Sequence, residues 1–341
     1  MRPPEFYQRH LDAVSRTFAL CIPRLEAPFR DRVALSYLLL RVLDTVEDAP
    51  FSDRMLQQRQ FNSFRQFLQE RPTRAQVDAF RSSFSGLTEG ERALLADTEA
   101  FLEDAHELPA AARGAVFGAI GRMAQGMAAY ARRPVPLRLL DLDDVCRYCC
   151  IVAGLVGELL TQLWALGGGA PPRMLFAYRF GLFLQKVNIL KDQAEDEAAG
   201  RFLVPHRREL LASLSADADG ALSYLTSLPR AERGYRTFCA WSLMLGADSL
   251  AQLDGPRESR RAQTMALLGR TAEIAQDDEA LRRQFAELLP ELPEVRARPP
   301  LGKPEPAEWF VRMLDAPLST EELVELGALH AARARGVAAN Q

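Results

Sequence analysis

Along most of this chain, apolar positions recur three and four residues apart with polar positions between them, which is the spacing that puts one apolar face on a helix. It runs through 31-DRVALSYLLLRVLDTVED-48, 53-DRMLQQRQFNSFRQFLQE-70, 90-GERALLADTEAFLEDA-105 and 112-ARGAVFGAIGRMAQGMAAYA-131. The same spacing predicts helices over 141–166, 171–197, 207–228, 231–252, 258–275 and 277–289. Breakers part them: Pro50, Pro72, Pro109, Pro134 with Pro136, the Gly167 to Pro172 stretch, Pro205, Pro229 and Gly255-Pro256. Thr88 followed by Glu91 reads as a capping box opening the third of these helices. No strand-like alternation and no hairpin signal occurs between apolar runs. The expectation is an all-α fold, a helical bundle of roughly ten or more helices in one large domain or two small ones. Residues 291–318 are Pro-rich and charged and read as an extended linker. Residues 319–336 have the pattern of one further amphipathic helix.

Composition narrows the function classes. The 341 residues are 48% hydrophobic, enough to bury a large core. The formal net charge of −3 argues against nucleic acid as a partner, because such proteins are usually basic. Three of the five cysteines, Cys146, Cys149 and Cys150, crowd into five residues, and the total is odd. That is not a disulfide framework, and reduced thiols in a cytoplasmic setting are expected. Cys146 and Cys149 make a C-x-x-C, but no second pair or nearby His completes a zinc site, so core packing is the plainer reading. The stretch 149–172 is apolar but interrupted by Glu158, Thr161 and Gln162. A charge in mid-segment is costly in lipid, so a buried helix is expected there and no transmembrane segment.

Two acidic segments stand out against this background, 44-DTVED-48 and 192-DQAED-196. On a helix, Asp44, Glu47 and Asp48 share one face, with Arg41 one turn before Asp44 and Tyr37 one turn before that. The neighbouring positions are Leu and Val, a costly place for carboxylates without a cation or hydrogen-bond donors. The second segment continues a polar stripe, Gln185, Asn188, Asp192 and Asp196, along a helix otherwise rich in Leu, Phe, Val and Ile. Either motif alone usually marks a solvated face. Two of them on apolar helices suit Mg²⁺, which bridges a few carboxylates to a diphosphate. Lys191 and Arg201 lie near enough in sequence to meet phosphate oxygens. In 147-RYCCIVAGLVGELLTQLW-164, Tyr148 is either a proton carrier or cation stabiliser, or a core tyrosine. Gly154 and Gly157 each cost about 1 kcal/mol relative to Ala inside a helix. Such a cost implies that something approaches the backbone closely, either another helix or a bound apolar chain.

The segments 15-SRTF-18, 37-YLLLRVLDTVED-48, 148-YCCIVAGLVG-157, 181-GLFLQKVNILKDQAED-196, 201-RFLVP-205 and 238-FCA-240 together resemble the squalene/phytoene synthase family, and within it the squalene synthase branch. They run in family order over about residues 10–275. The resemblance implies an isoprenoid synthase helical bundle, a single domain over residues 1–290, around a central cavity. It implies a prenyltransferase that joins two farnesyl diphosphates with Mg²⁺ to give presqualene diphosphate, then reduces this to squalene with NADPH, for sterol or hopanoid synthesis. It assigns Asp44, Glu47, Asp48, Asn188, Asp192 and Asp196 to Mg²⁺ and the diphosphates, with Gln185 beside them. Phe18, Lys191 and Arg201 fall on the substrate side. Tyr148 matches a tyrosine of the first half-reaction, and Phe238 an aromatic shielding the cation of the second. Ser15, Arg16, Phe18, Tyr37 and Arg41 match the diphosphate and NADPH region. In 257-RESRRAQTMAL-267, Arg260 matches a further cofactor contact, but Glu258 stands where a lysine is expected. Lys191 stands where an arginine is usual, and Gln193 and Ala194 replace larger residues. The membrane-anchoring tail of the eukaryotic enzymes has no counterpart, so a protein in the cytoplasm, at most peripheral to the membrane for product release, is expected. Two alternatives stand beside this reading: an NADPH-independent head-to-head synthase making presqualene diphosphate, dehydrosqualene or phytoene, and a non-catalytic family member.

Overall fold

The computed structural model describes residues 1–15, 17–51, 53–253 and 261–289. Among them the chain is helical almost throughout. It opens with α1 (Pro4–Val14), α2 (Phe18–Cys21), a 3₁₀ turn at Ile22–Arg24, α3 (Phe29–Asp48), α4 (Arg54–Gln69) and α5 (Arg74–Arg81). There follow α6 (Glu89–Ala96), α7 (Thr98–His106), α8 (Ala110–Ala131), α9 (Leu142–Cys149) and α10 (Leu155–Leu166). The last group is α11 (Met174–Lys191), α12 (Gln193–Ala198), α13 (Arg207–Ser227), α14 (Arg233–Leu250), α15 (Arg261–Ile274) and α16 (Asp278–Leu288).

The periodic segments fold as their spacing requires. In α3, Leu35, Leu38, Leu39, Val42, Leu43 and Val46 are all buried at helical intervals. The Thr88–Glu91 capping box forms, with each side chain bonded to the other residue's backbone N–H. A second box, Thr73 with Gln76, opens α5, a helix that the apolar pattern alone does not predict. Two predicted helices are each divided. The segment 90–105 breaks at Asp97 between α6 and α7, and 171–197 breaks at Asp192, whose backbone leaves helical geometry (φ −96°, ψ 10°) between α11 and α12. The predicted helix 141–166 holds a π-helical turn at Cys150–Gly154, where the extra residue in the turn rotates α10 relative to α9. Helices α1 and α2 are also beyond the predicted set. So is a pair of two-residue strands, β1 (Leu137–Arg138) and β2 (Arg201–Phe202), paired in parallel with Leu137 opposite Arg201. They are too short for any alternation to register. The linker at 291–318 and the helix at 319–336 lie outside the described residues.

Helix α11 is the hub, packed by α10, α13, α14 and the π turn. Close approach there answers the glycine question. A Cβ on Gly157 would lie 2.2 Å from the Ala177 carbonyl oxygen, and one on Gly154 would lie 2.6 Å from the Tyr178 ring. The return contact is Gly181 against the carbonyl of Ala153, at 2.3 Å. The neighbour that these glycines admit is therefore helix α11. Lys186 of α11 is buried and donates to Asp217 Oδ2 of α13 at 2.6 Å, pinning the two helices. The stretch Leu142–Leu166 is long and apolar enough to cross a membrane by length and composition, and 56% of its 18-residue apolar window is buried within the fold.

Candidate active site

The C-terminal half of α3 carries Tyr37, Arg41, Asp44, Glu47 and Asp48 down one face. Three carboxylates in the last turn oppose the helix dipole, whose C-terminal end is already negative, and no basic residue sits in that turn to offset them. Arg41 Nη1 donates to Asp44 Oδ2 at 3.0 Å, while the buried Arg41 Nε has no partner. Burial pushes the Asp44 carboxyl up to about 6, with Arg41 drawing it down and Asp48 pushing it up. Glu47 goes further, to about 8, through burial and the adjoining Asp48 and Asp44, against the pull of Arg201 and Tyr148. Gln57 of α4 donates to the carbonyls of Val46 and Glu47, 3.0 Å each, and holds this last turn in place.

Tyr148 enters from α9, just before the π turn. Its hydroxyl donates to Glu47 Oε1 at 3.3 Å, a long contact for a hydroxyl. Burial, and next the Glu47 charge, push the phenol well above its usual range, so it stays protonated. Tyr130 supports it edge-on, with ring centroids 5.2 Å apart. The Tyr130 hydroxyl in turn donates to Asp144 Oδ1 at 3.0 Å, and Asp144 is held by both arms of Arg133. This support from Tyr130, Asp144 and Arg133 has no signal in local spacing, because α8 and α9 meet only in the fold.

The second acidic segment comes in from α11 and α12. Arg201, on β2, donates from Nη1 to Asp48 Oδ1 and from Nε and Nη2 to Asp196 Oδ1 at 3.0 and 2.6 Å. One guanidinium thus joins acids 148 residues apart in sequence (196 − 48). Asp196 is buried, and burial raises its carboxyl despite Arg201. Lys191 Nζ stands 3.5 Å from Asn188 Oδ1 and 3.5 Å from Asp192 Oδ2. The stripe Gln185–Asn188–Asp192–Asp196 does not run along one helix, since Asp192 is the joint and Asp196 turns inward on α12. Gln185 is half-buried on α11 and Asn188 is exposed there.

A third group lines the region beside Arg41. Burial raises the Tyr37 hydroxyl, with Ser15 and Arg41 drawing it down. Phe18 lies 5.2 Å from Tyr37 and 6.2 Å from Phe238, so α2, α3 and α14 present a continuous aromatic surface. Arg16 and Arg260 lie outside the described residues. Among the described residues, no three His, Cys, Asp or Glu side chains gather closely enough to enclose a metal ion on their own. All five cysteine thiols are free, and burial raises the Cys146, Cys149 and Cys150 thiols.

Comparison with known proteins bears on the family and the fold. Residues 11–288 match the sequence profile described as Squalene/phytoene synthase. The squalene synthase of Eremothecium gossypii is 35% identical over 217 residues, covering 60% of this chain and 48% of that protein. That of Ganoderma lucidum is 32% identical over 205 residues, covering 57% and 42%. The chain thus spans about half the length of these curated relatives, or less. A solved structure of TcSQS with a bound ligand superposes with a TM-score of 0.70 at 25% identity, covering 97% of this chain and 98% of that one. A dehydrosqualene synthase, 16% identical with a TM-score of 0.55, covers 79% of this chain and 95% of its own, and shares the fold.

Proposed function

This chain belongs to the squalene/phytoene synthase family, on its squalene synthase branch, and from that premise we propose that it joins two farnesyl diphosphates head to head, giving presqualene diphosphate and then squalene. The observation that carries the proposal is the meeting of Asp48 and Asp196 on one guanidinium, with the Tyr148 hydroxyl against Glu47 in the same cluster. Two acidic segments and a protonated phenol in one cluster suit a reaction that expels a diphosphate and then a proton.

The donor set fits Mg²⁺. It is all oxygen, it lies at the negative end of α3, and it leaves part of the coordination shell to water and substrate oxygens, as Mg²⁺ requires. Asp44, Glu47 and Asp48 on one side, and Asn188, Asp192 and Asp196 on the other, are the residues that would hold it, with Gln185 alongside. When bound there, the ion supplies charge neutralisation for the departing pyrophosphate. The protein's own groups do the rest. Arg201 and Lys191 donate to phosphate oxygens. The Tyr148 hydroxyl would take up the proton lost as the cyclopropane closes while passing its own proton to the Glu47 carboxylate to which it is hydrogen-bonded. Phe18, Tyr37 and Phe238 turn aromatic surface toward a carbocation and exclude water from it. For the reduction, Ser15 and Arg41, with Arg16 and Arg260, are the residues that would receive NADPH. Glu258 in the basic segment favours a second reading, in which the reaction stops before reduction.

Product analysis separates these readings. The purified chain with farnesyl diphosphate and Mg²⁺ is expected to make squalene when NADPH is present and presqualene diphosphate when it is withheld. The same product in both arms removes the reductive step. No head-to-head product in either arm removes the synthase reading.

A further inference from the structure

We propose that Arg201 is a counter-ion latch: in the free protein its guanidinium holds the two acidic segments together, and it must release their carboxylates for phosphate oxygens when a divalent cation and a diphosphate enter. The latch rests on the metal-diphosphate reading and concerns how that site is loaded.

The geometry is that of a competitor. Arg201 bonds Asp48 Oδ1 through Nη1 and Asp196 Oδ1 through both Nε and Nη2. Both oxygens belong to carboxylates that would hold the ion, so guanidinium and ion would compete for the same atoms. The latch has a fixed pivot and a movable arm. Gly200 turns the chain with φ +77°, a conformation that disfavours a side chain. Beyond it, Arg201 pairs with Leu137 in the parallel β1–β2 bridge, and Phe202 accepts from Leu139 N at 3.0 Å. The guanidinium of Arg138 covers the Phe202 ring at 3.8 Å. The backbone is held from both sides, while the side chain remains 34% exposed on a flexible stem. Exchange of partners also conserves charge. As one cation arrives at the acids, the resident cation moves to the anion that came with it, so no buried charge is stranded. The planar fork of arginine suits both carboxylate and phosphate.

Calorimetric titration and thermal melts of the full chain test this, with Mg²⁺ alone and with Mg²⁺ plus inorganic pyrophosphate as probes. Arg201→Gln is expected to bind Mg²⁺ alone at least roughly fivefold more tightly than the unaltered protein, because the competitor is gone. The same variant is expected to bind Mg²⁺ with pyrophosphate more weakly, because the phosphate partner is gone. This opposite response is the signature, and a purely supporting arginine would not produce it. Arg201→Lys keeps the charge without the fork. It should show the same inversion at smaller amplitude, and it carries the test if the glutamine variant does not fold. Unchanged or weaker Mg²⁺ binding by the variants overturns the latch alone, provided the unaltered protein binds both probes. Failure of the unaltered protein to bind either probe overturns the metal reading and the latch with it.

Discussion

Tyr148 is buried, and its hydroxyl reaches Glu47. Replacing it with Phe keeps the ring against Tyr130 and removes only the proton carrier. Initial-rate measurements on Tyr148→Phe should show condensation slowed by roughly a hundredfold, the scale of a lost general acid–base group. The melting midpoint should barely move, and an unchanged rate would take Tyr148 out of the chemistry. His10 makes a separate prediction about stability. It is buried among Phe6 and Phe101, and burial holds its pKa below 6.5, against the raising effect of Asp97 and together with Arg9. The folded state therefore keeps His10 neutral at pH values where the unfolded chain protonates. Its contribution is complete above about pH 6.5 and is lost as pH falls through the lower, folded value. Relative to His10→Phe, the urea midpoint of the unaltered protein should be lower at pH 5.5 than at pH 7.5, a comparison that cancels the opposing gain from Asp44 and Glu47, whose raised carboxyls protonate over the same range. At this scale the sequence already named Tyr148 and the acids, because residue type and local spacing expose them. It did not disclose the Tyr130–Asp144–Arg133 support, whose members meet across separate helices.

Helix α11 shows what an element requires of its neighbours. Its close packing on α10 and the π turn depends on bare backbone at Gly157 and Gly181, each facing a carbonyl rather than a yielding side chain. Gly157→Ala is expected to destabilise the fold by about 3 kcal/mol, since a backbone carbonyl cannot step aside as a side chain does. Chemical denaturation measures it, and a variant of unaltered stability would mean the two helices can separate at no cost. The glycines were legible as a demand for close approach, but their partner was not, because nothing local distinguishes a helix from a ligand. Element boundaries divided in the same way. Thr88 and Glu91 announced a helix start through their own side chains. The joint at Asp192 and the π turn at Cys150–Gly154 sit in unbroken helical patterns, where neither Gly nor Pro marks the break at Asp192.

Across the whole molecule, the end of α3 and the short helix α12 are joined by Arg201 from a two-residue strand. Asp48→Asn and Asp196→Asn are each expected to lower kcat/KM by more than about a hundredfold, with a double variant little worse than either single one. Non-additivity of that kind is the mark of residues acting as one unit. Full additivity in steady-state kinetics would mean that the two acids serve independent steps. The sequence by itself determined the all-helical class, the apolar faces, and the presence of acids on helices that should otherwise be core. Each of these depends on residues within a turn or two of one another, where helix periodicity makes spacing and geometry the same thing. Only the tertiary structure decided that Asp48 and Asp196 share a guanidinium, that Asp196 turns inward on its own short helix, and that the paired glycines receive a helix. Those facts depend on how far-apart segments dock, which is set by the summed packing of many side chains, and periodicity within one segment carries no record of it.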